Sequence, residues 1–315
     1  MGPHPLETPV VMLVFNRPDM TARVLAEVAK QRPKTLFVCG DGPRVDRPNE
    51  ASQVAATRAL FENLDWDCDL RTRFSMENHG CKLGVAEGLN WVFGQTEQAI
   101  ILEDDCLPDP TFFPFCEQLL KRYADDQRVM AISGNNWQDG QSRSPDSYYF
   151  SKYMHCWGWA TWRRAWQKCD LSLSRWPSFR DSGGPELMAD SPAEADYWRY
   201  IFERQFGGEI DSWAFAYQFT CWAEHGLTAL PATNLVSNIG FGEAGTHTKN
   251  ADHPHANQPT VPIHEITHPA SVYRHREADR YSFGRCYYQD KLTRKLRRAA
   301  RQLFSNNLLA PSRAA

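Results

Sequence analysis

The chain has 315 residues, 42% hydrophobic and 23% charged, enough apolar material to bury a full core, which excludes bulk disorder. A formal net charge of -3 offers nucleic acid no global basic field, so a charged partner has to be met by a local patch. Nine irregularly spaced cysteines show no paired metal-ligand pattern. With no signal peptide, no Asn-x-Ser/Thr acceptor and no apolar run long enough to span a bilayer, they read as reduced thiols of a cytoplasmic protein.

Residues 10–15 (VVMLVF) form a continuous apolar, β-branched run, the pattern of a strand buried on both faces of a parallel sheet. A helix is expected next, with Pro18 in its first turn, Asp19 at the positive end of its dipole, and Met20, Val24 and Val28 along one face. The alternation continues with a strand over 35–39, a helix over 50–64, a strand over 69–74, a helix over 85–93, a strand over 99–102 and a helix over 112–123. This order predicts an α/β fold with a mostly parallel sheet flanked by helices, whose ligands sit beyond the carboxyl ends of the strands. The residues after each strand are therefore the ones to inspect: Asn16-Arg17, Gly40-Asp41-Gly42, Glu77 to Gly84, and Glu103-Asp104-Asp105.

Past about Ser133 the alternation gives way to a Trp- and Tyr-rich stretch, then to helical and loop segments up to about residue 250. Four prolines and four histidines in 252–270 predict an extended surface loop, and DKLTRKLRRAARQLF near the C-terminus is a basic amphipathic helix candidate.

Glu103, Asp104 and Asp105 close a buried strand, and a proline-containing turn follows them. Three crowded carboxylates repel one another and call for a cation; hard oxygen ligands suit Mg2+ or Mn2+, with a diphosphate and water completing the shell. A solvated acidic turn capping the next helix is the plainer alternative. A phosphohydrolase or a sugar nucleotidyltransferase could use the same cluster. A nucleotidyltransferase usually carries a Gly-rich basic loop after its first strand, where this chain has FNRPDM, and that favours a diphosphate donor.

The blocks PVVMLVFNRP, CGDGPR, ENHGCKLGVAEGLNWVF, AIILEDDCLPDPTFFPFC, ISGNNW, WGWATWRRAW and NLVSNIGFGEAGTHT together resemble bacterial GT-A glycosyltransferases of the family 2 type, related to N-acetylglucosaminyltransferase I. The resemblance implies a Rossmann-like GT-A domain over residues 1–275, with a nucleotide-side half at about 9–135, an acceptor-side half at about 136–250 and a basic tail over 276–315. It implies an inverting, metal-dependent transfer from a nucleotide diphosphate sugar, a UDP-sugar by preference, to a glycan or lipid-linked hydroxyl. Asp105 would bind the metal, Glu103 and Asp104 the donor sugar and ribose, Phe15, Arg17 and Asp41 the uracil end, and Lys82 would lie near the phosphates. Trp157, Gly158 and Trp159 would line the acceptor side. Asp211 in EIDSWAFAYQF would be the base that deprotonates the acceptor, with Glu209 the alternative. His247 would lie in a loop over the donor and touch the diphosphate or metal; a plain surface histidine is the other reading.

Three weaker signals remain. His264-Glu265-Ile266-Thr267-His268 matches the HExxH string, which binds zinc only on a helix, and Pro262 and Pro269 argue against one. Trp162 and Trp166, expected on a helix, read as core. The basic C-terminal helix would either contact an anionic membrane surface or stay solvated.

Overall fold

A computed structural model describes residues 5–241 and 255–287. The first half alternates as expected: β1 (Val10–Val14), α1 (Pro18–Gln31), β2 (Thr35–Gly40), α2 (Glu50–Ala59), β3 (Asp69–Phe74), α3 (Gly80–Phe93) and β4 (Gln98–Glu103). There follow β5 (Cys106–Pro108), α4 (Phe112–Arg122), β6 (Val129–Ser133), β7 (Tyr148–Ser151), β8 (Trp159–Trp162) and α5 (Arg163–Trp166). The rest comprises α6 (Trp176–Asp181), α7 (Gly184–Met188), α8 (Pro192–Phe206), α9 (Trp213–Ala223), β9 (Leu227–Pro231), β10 (Val236–Asn238) and α10 (Arg276–Ser282), which runs on into a π-helical turn, Phe283–Tyr287.

The strands join in the order β3-β2-β1-β4-β8-β6-β9-β7, and β5 pairs with β10 in a separate two-stranded ribbon. Pairing is parallel from β3 through β4 and again between β6 and β9, and antiparallel where β8 and β7 enter. This is a mixed, mostly parallel α/β sheet of the Rossmann-like kind. Each side chain's face follows from the pleat. Val10, Met12 and Val14 point to one face and pack with Val24 and Val28 of α1 and Phe115 and Leu119 of α4. Val11 and Leu13 point to the other and pack with Leu89 and Val92 of α3 and with Trp213 and Tyr217 of α9. A third cluster, built from Trp176, Trp198, Phe202, Phe219 and Trp222, joins α6, α8 and α9. β3 is one of the two edge strands and carries Arg71 and Arg73, charged residues that discourage further pairing.

Four sequence expectations change. α2 ends at Ala59, five residues short of the predicted Leu64, and α3 begins at Gly80 instead of Val85. Trp162 lies on β8, so of the two tryptophans expected on a helix only Trp166 is on one, although both are buried. The tail boundary set at residue 276 falls inside packed structure: Ala278, Asp279 and Phe283 are buried against the body. Residues 262–269 form neither helix nor strand, so His264 and His268 are not stacked on a helix. All nine cysteines are free thiols. Among the described residues no helix is long and apolar enough to cross a membrane. His247 and the basic segment 290–304 lie outside the described residues.

Candidate active site

The sheet order reverses at β1, since β2 and β3 lie on one side of it and β4 on the other; in doubly wound sheets this is where the crevice opens. A cavity of about 600 Å³ lies at this edge, lined by Phe15 and Arg17 after β1, Asp41 after β2, Phe74 of β3, Glu103 and Asp104 at the end of β4, and Asp211. Parallel pairing sets Glu103 beside Leu13, so the acidic cluster opens onto the segment that follows β1.

Asp104 and Asp105 are buried, and their counter-ion comes from the chain itself. Arg17 places Nη1 at 2.7 Å from Asp105 Oδ2 and Nη2 at 3.5 Å from Asp104 Oδ1. The backbone N–H of Phe15 also donates to Asp104 Oδ2 at 3.2 Å. One guanidinium does not neutralise three carboxyls. Burial raises the Glu103 pKa, and Asp105 and Asp104 raise it further. Burial likewise raises that of Asp104, against the opposing pull of Arg17. For Arg17, burial opposes its charge, but the attraction of Asp104 and Asp105 outweighs this and its pKa is raised. The sequence-based expectation set Arg17 at the uracil end; its guanidinium is instead engaged by the acidic cluster.

The hard carboxylate oxygens suit Mg2+ or Mn2+. Such ions need only one or two protein carboxylates beside phosphate and water, so the converging three-ligand cage that is missing among the described residues is no requirement. Glu103 and Asp104 line the cavity, whereas Asp105 is covered by Arg17 and by the segment around Gly240.

Asp41 acts as a loop organiser. Its carboxylate accepts backbone N–H groups of Gly42, His79 and Gly80 at 2.9–3.0 Å and the Asn78 side-chain amide at 3.0 Å. It thereby ties the end of β2 to the start of α3 and has little acceptor capacity left for a base. Phe15 lines the cavity, with the Arg44 guanidinium carbon over its ring, 5.4 Å from the centre. Arg44 is held by the buried carboxylate of Glu50, which also accepts the Asn16 side-chain amide at 3.0 Å.

Asp211 precedes α9, yet its carboxylate reaches α3. It accepts the backbone N–H groups of Cys81 and Lys82, both at 3.1 Å. Asp41 and Asp211 together satisfy four successive N–H groups at the start of α3, which explains how a helix opens on Gly80 without a local cap. Lys82 therefore lies in the first turn of α3 and meets Asp211 through its backbone; it does not line the cavity. Glu209 pairs with Arg204 at 2.9 Å and does not line the cavity either.

The three aromatic-block residues diverge. Trp159 is fully buried, stacked on Trp213 at 5.2 Å and packed on Tyr217 at 5.5 Å, so it is core and not a sugar platform. Gly158 has φ +68, and a Cβ there would lie 2.7 Å from Val236 Cγ2, so it serves close backbone packing. Trp157 is only partly buried, set edge-on to Trp137 at 5.2 Å and to Phe241 at 5.4 Å.

Sequence reasoning missed Arg44 and Phe74 as lining residues and gave no role to His79, although His79 lies in the marked stretch Glu77 to Gly84. Arg44 and His79 sit inside the quoted CGDGPR and ENHG blocks, where position after a strand was the available signal; Phe74 ends an edge strand and carried none. No family model and no curated protein matches the sequence.

Proposed function

We propose that the chain is an inverting, Mg2+- or Mn2+-dependent glycosyltransferase of GT-A type that moves a sugar from a UDP-sugar to a glycan or lipid-linked hydroxyl. The observation that carries the reading is the meeting of Asp211 with Glu103 and Asp104 on one cavity, although more than 100 residues of chain separate them. An inverting transfer needs these two functions on opposite sides of one reacting carbon: an anionic, metal-holding edge for the leaving diphosphate, and a carboxylate for the acceptor proton. Asp211 has spare lone pairs beyond the two that accept N–H groups, and its side chain is exposed to an incoming acceptor. Phe15 offers a stacking face for the base. Bound metal would supply charge stabilisation to the leaving diphosphate, held by Asp105 once Arg17 is displaced and by the carboxylates facing the cavity.

Metal-independent nucleotide-sugar binding is the second reading, favoured by Arg17, which already occupies a cationic position against Asp104 and Asp105. A panel of nucleotide sugars, each measured by thermal shift and slow donor hydrolysis with and without Mn2+, separates the two. The transferase reading expects a UDP-sugar to stabilise the protein only with metal and to be slowly hydrolysed. Donor binding indifferent to metal supports the second reading instead.

A further inference from the structure

We infer that Arg17 is a resident counter-ion that competes with a divalent cation for Asp105, so that metal and nucleotide diphosphate enter this site as a coupled pair; the inference rests on the transferase reading above.

Both ends of the Arg17 side chain bear on this. Its backbone is fixed, because the carbonyl accepts the Thr21 N–H at 2.9 Å and the Thr21 hydroxyl at 2.8 Å in the first turn of α1. Its guanidinium is held chiefly by charge, through one close contact to Asp105 at 2.7 Å and a longer one to Asp104 at 3.5 Å, while its buried Nε has no partner among the described residues. A fork with five donors is thus only partly used, and a diphosphate in the adjoining cavity offers it bidentate oxygens.

A second cation has no room beside it. The Ile239 N–H donates to the Asp105 carbonyl at 2.9 Å, and the chain then passes so close that a Cβ on Gly240 would fall 2.1 Å from Asp105 Oδ2 and 2.8 Å from Arg17 Nη1. Asn238 Nδ2 approaches the other oxygen, Oδ1, at 3.4 Å. An ion on Asp105 therefore requires Arg17 to leave, and leaving is favourable only when another anion receives it. Linkage makes the coupling reciprocal: nucleotide tightens metal by the factor with which metal tightens nucleotide.

The test is a Mn2+ titration read by the electron paramagnetic resonance signal of the free aqua ion, with and without UDP and against a UDP-only blank. Wild type, Arg17→Gln, Arg17→Lys and the double variant Arg17→Gln/Asp105→Asn are compared. For wild type, metal alone binds weakly and UDP tightens it about tenfold or more, within the usual range of such couplings. Arg17→Gln binds Mn2+ alone about tenfold more tightly than wild type and gains correspondingly less from UDP, Arg17→Lys falls between, and the double variant loses the gain. Arg17→Gln and Arg17→Lys holding Mn2+ alone no more tightly than wild type, or a gain that survives Asp105→Asn, overturns the inference. If Arg17→Gln does not fold, Arg17→Lys decides in the same way. Failure of the transferase reading is scored elsewhere, in wild-type UDP-sugar binding that ignores Mn2+.

Discussion

Asp211 Oδ1 accepts the backbone N–H of Lys82 at 3.1 Å, a contact between residues 129 positions apart that joins the loop before α9 to the first turn of α3. The same carboxylate is therefore both a helix cap and the nominated base, and its two roles separate experimentally.

Asp211→Asn keeps one amide oxygen as an acceptor but has no proton-accepting carboxylate. It is expected to lose transfer by at least about 100-fold, the lower end of what a positioned base contributes, while UDP-sugar and Mn2+ binding persist. Stability should fall by about 1 kcal/mol, the ordinary cost of a weakened cap. Single-turnover transfer assays and urea melts read the two effects; transfer at the wild-type rate would assign the base elsewhere.

Trp157 and Trp159, two residues apart in WGWATW, should answer truncation differently. Trp159→Ala removes a fully buried indole stacked on Trp213 and should cost about 3–5 kcal/mol. Trp157→Ala removes a partly buried ring and should cost less stability. On the transferase reading, it raises the acceptor KM with little change in donor affinity. Equal destabilisation with no change in KM would place both tryptophans in the scaffold alone.

The order of elements through β4 was legible because a doubly covered parallel strand leaves an apolar run that periodicity detects, as in VVMLVF and AIIL. The start of α3 was not. Gly80, Gly84 and Gly88 lower local helix propensity, and the groups that stabilise the first turn, Asp41 and Asp211, come from distant segments. The fate of Arg17 was hidden for the same reason, since its partners lie 87 and 88 residues away. A strand-end rule marked Asn16-Arg17 and Glu103-Asp104-Asp105, of which Arg17, Glu103 and Asp104 line one cavity, but it carries no information on which side chains neutralise one another. In the WGWATW block, aromatic content suggested a sugar platform, and for Trp159 the strand's position inside the sheet overrode it.

His155 gives a pH dependence of defined sign. Its ring is buried 3.8 Å from the Trp137 ring and stacked on Tyr153 at 6.3 Å, and among the described residues neither ring nitrogen has a hydrogen-bond partner. Burial, with a contribution from His255, pushes its pKa down from 6.5 to about 3. The unfolded chain therefore takes up a proton at this position before the folded chain does, so stability is complete above about pH 6.5 and declines as pH falls toward 3. The limit is on the order of 5 kcal/mol, from about 1.4 kcal/mol per unit over the whole shift. His155→Phe should flatten the acid limb of a Tm-against-pH curve while leaving Tm near pH 8 within a few degrees. An unchanged acid limb would shift the effect to other groups.

Lys152 lies in a buried charge network that fastens α10 to the body. Its ammonium contacts Glu194 at 2.5 Å, Asp190 at 3.4 Å and the Met188 carbonyl at 2.9 Å, with no side-chain exposure. Arg274 bridges Asp190 and Asp279, and Asp279 also accepts the Ser151 hydroxyl at 2.5 Å. Three acids, Asp190, Glu194 and Asp279, face Lys152, Arg274 and Arg276, so removing one cation leaves buried negative charge uncompensated. Burial opposes the Lys152 charge and lowers its pKa, yet the lysine remains the closest cation to Glu194. Lys152→Met should cost about 3–5 kcal/mol, as when one partner of a buried pair is deleted. The double variant Lys152→Met/Glu194→Gln should recover part of that loss, because it removes the orphaned charge along with its partner. Urea unfolding of wild type, Lys152→Met, Glu194→Gln and the double variant measures the coupling directly, and a double variant as unstable as the sum of the single changes would show that Lys152 and Glu194 act independently.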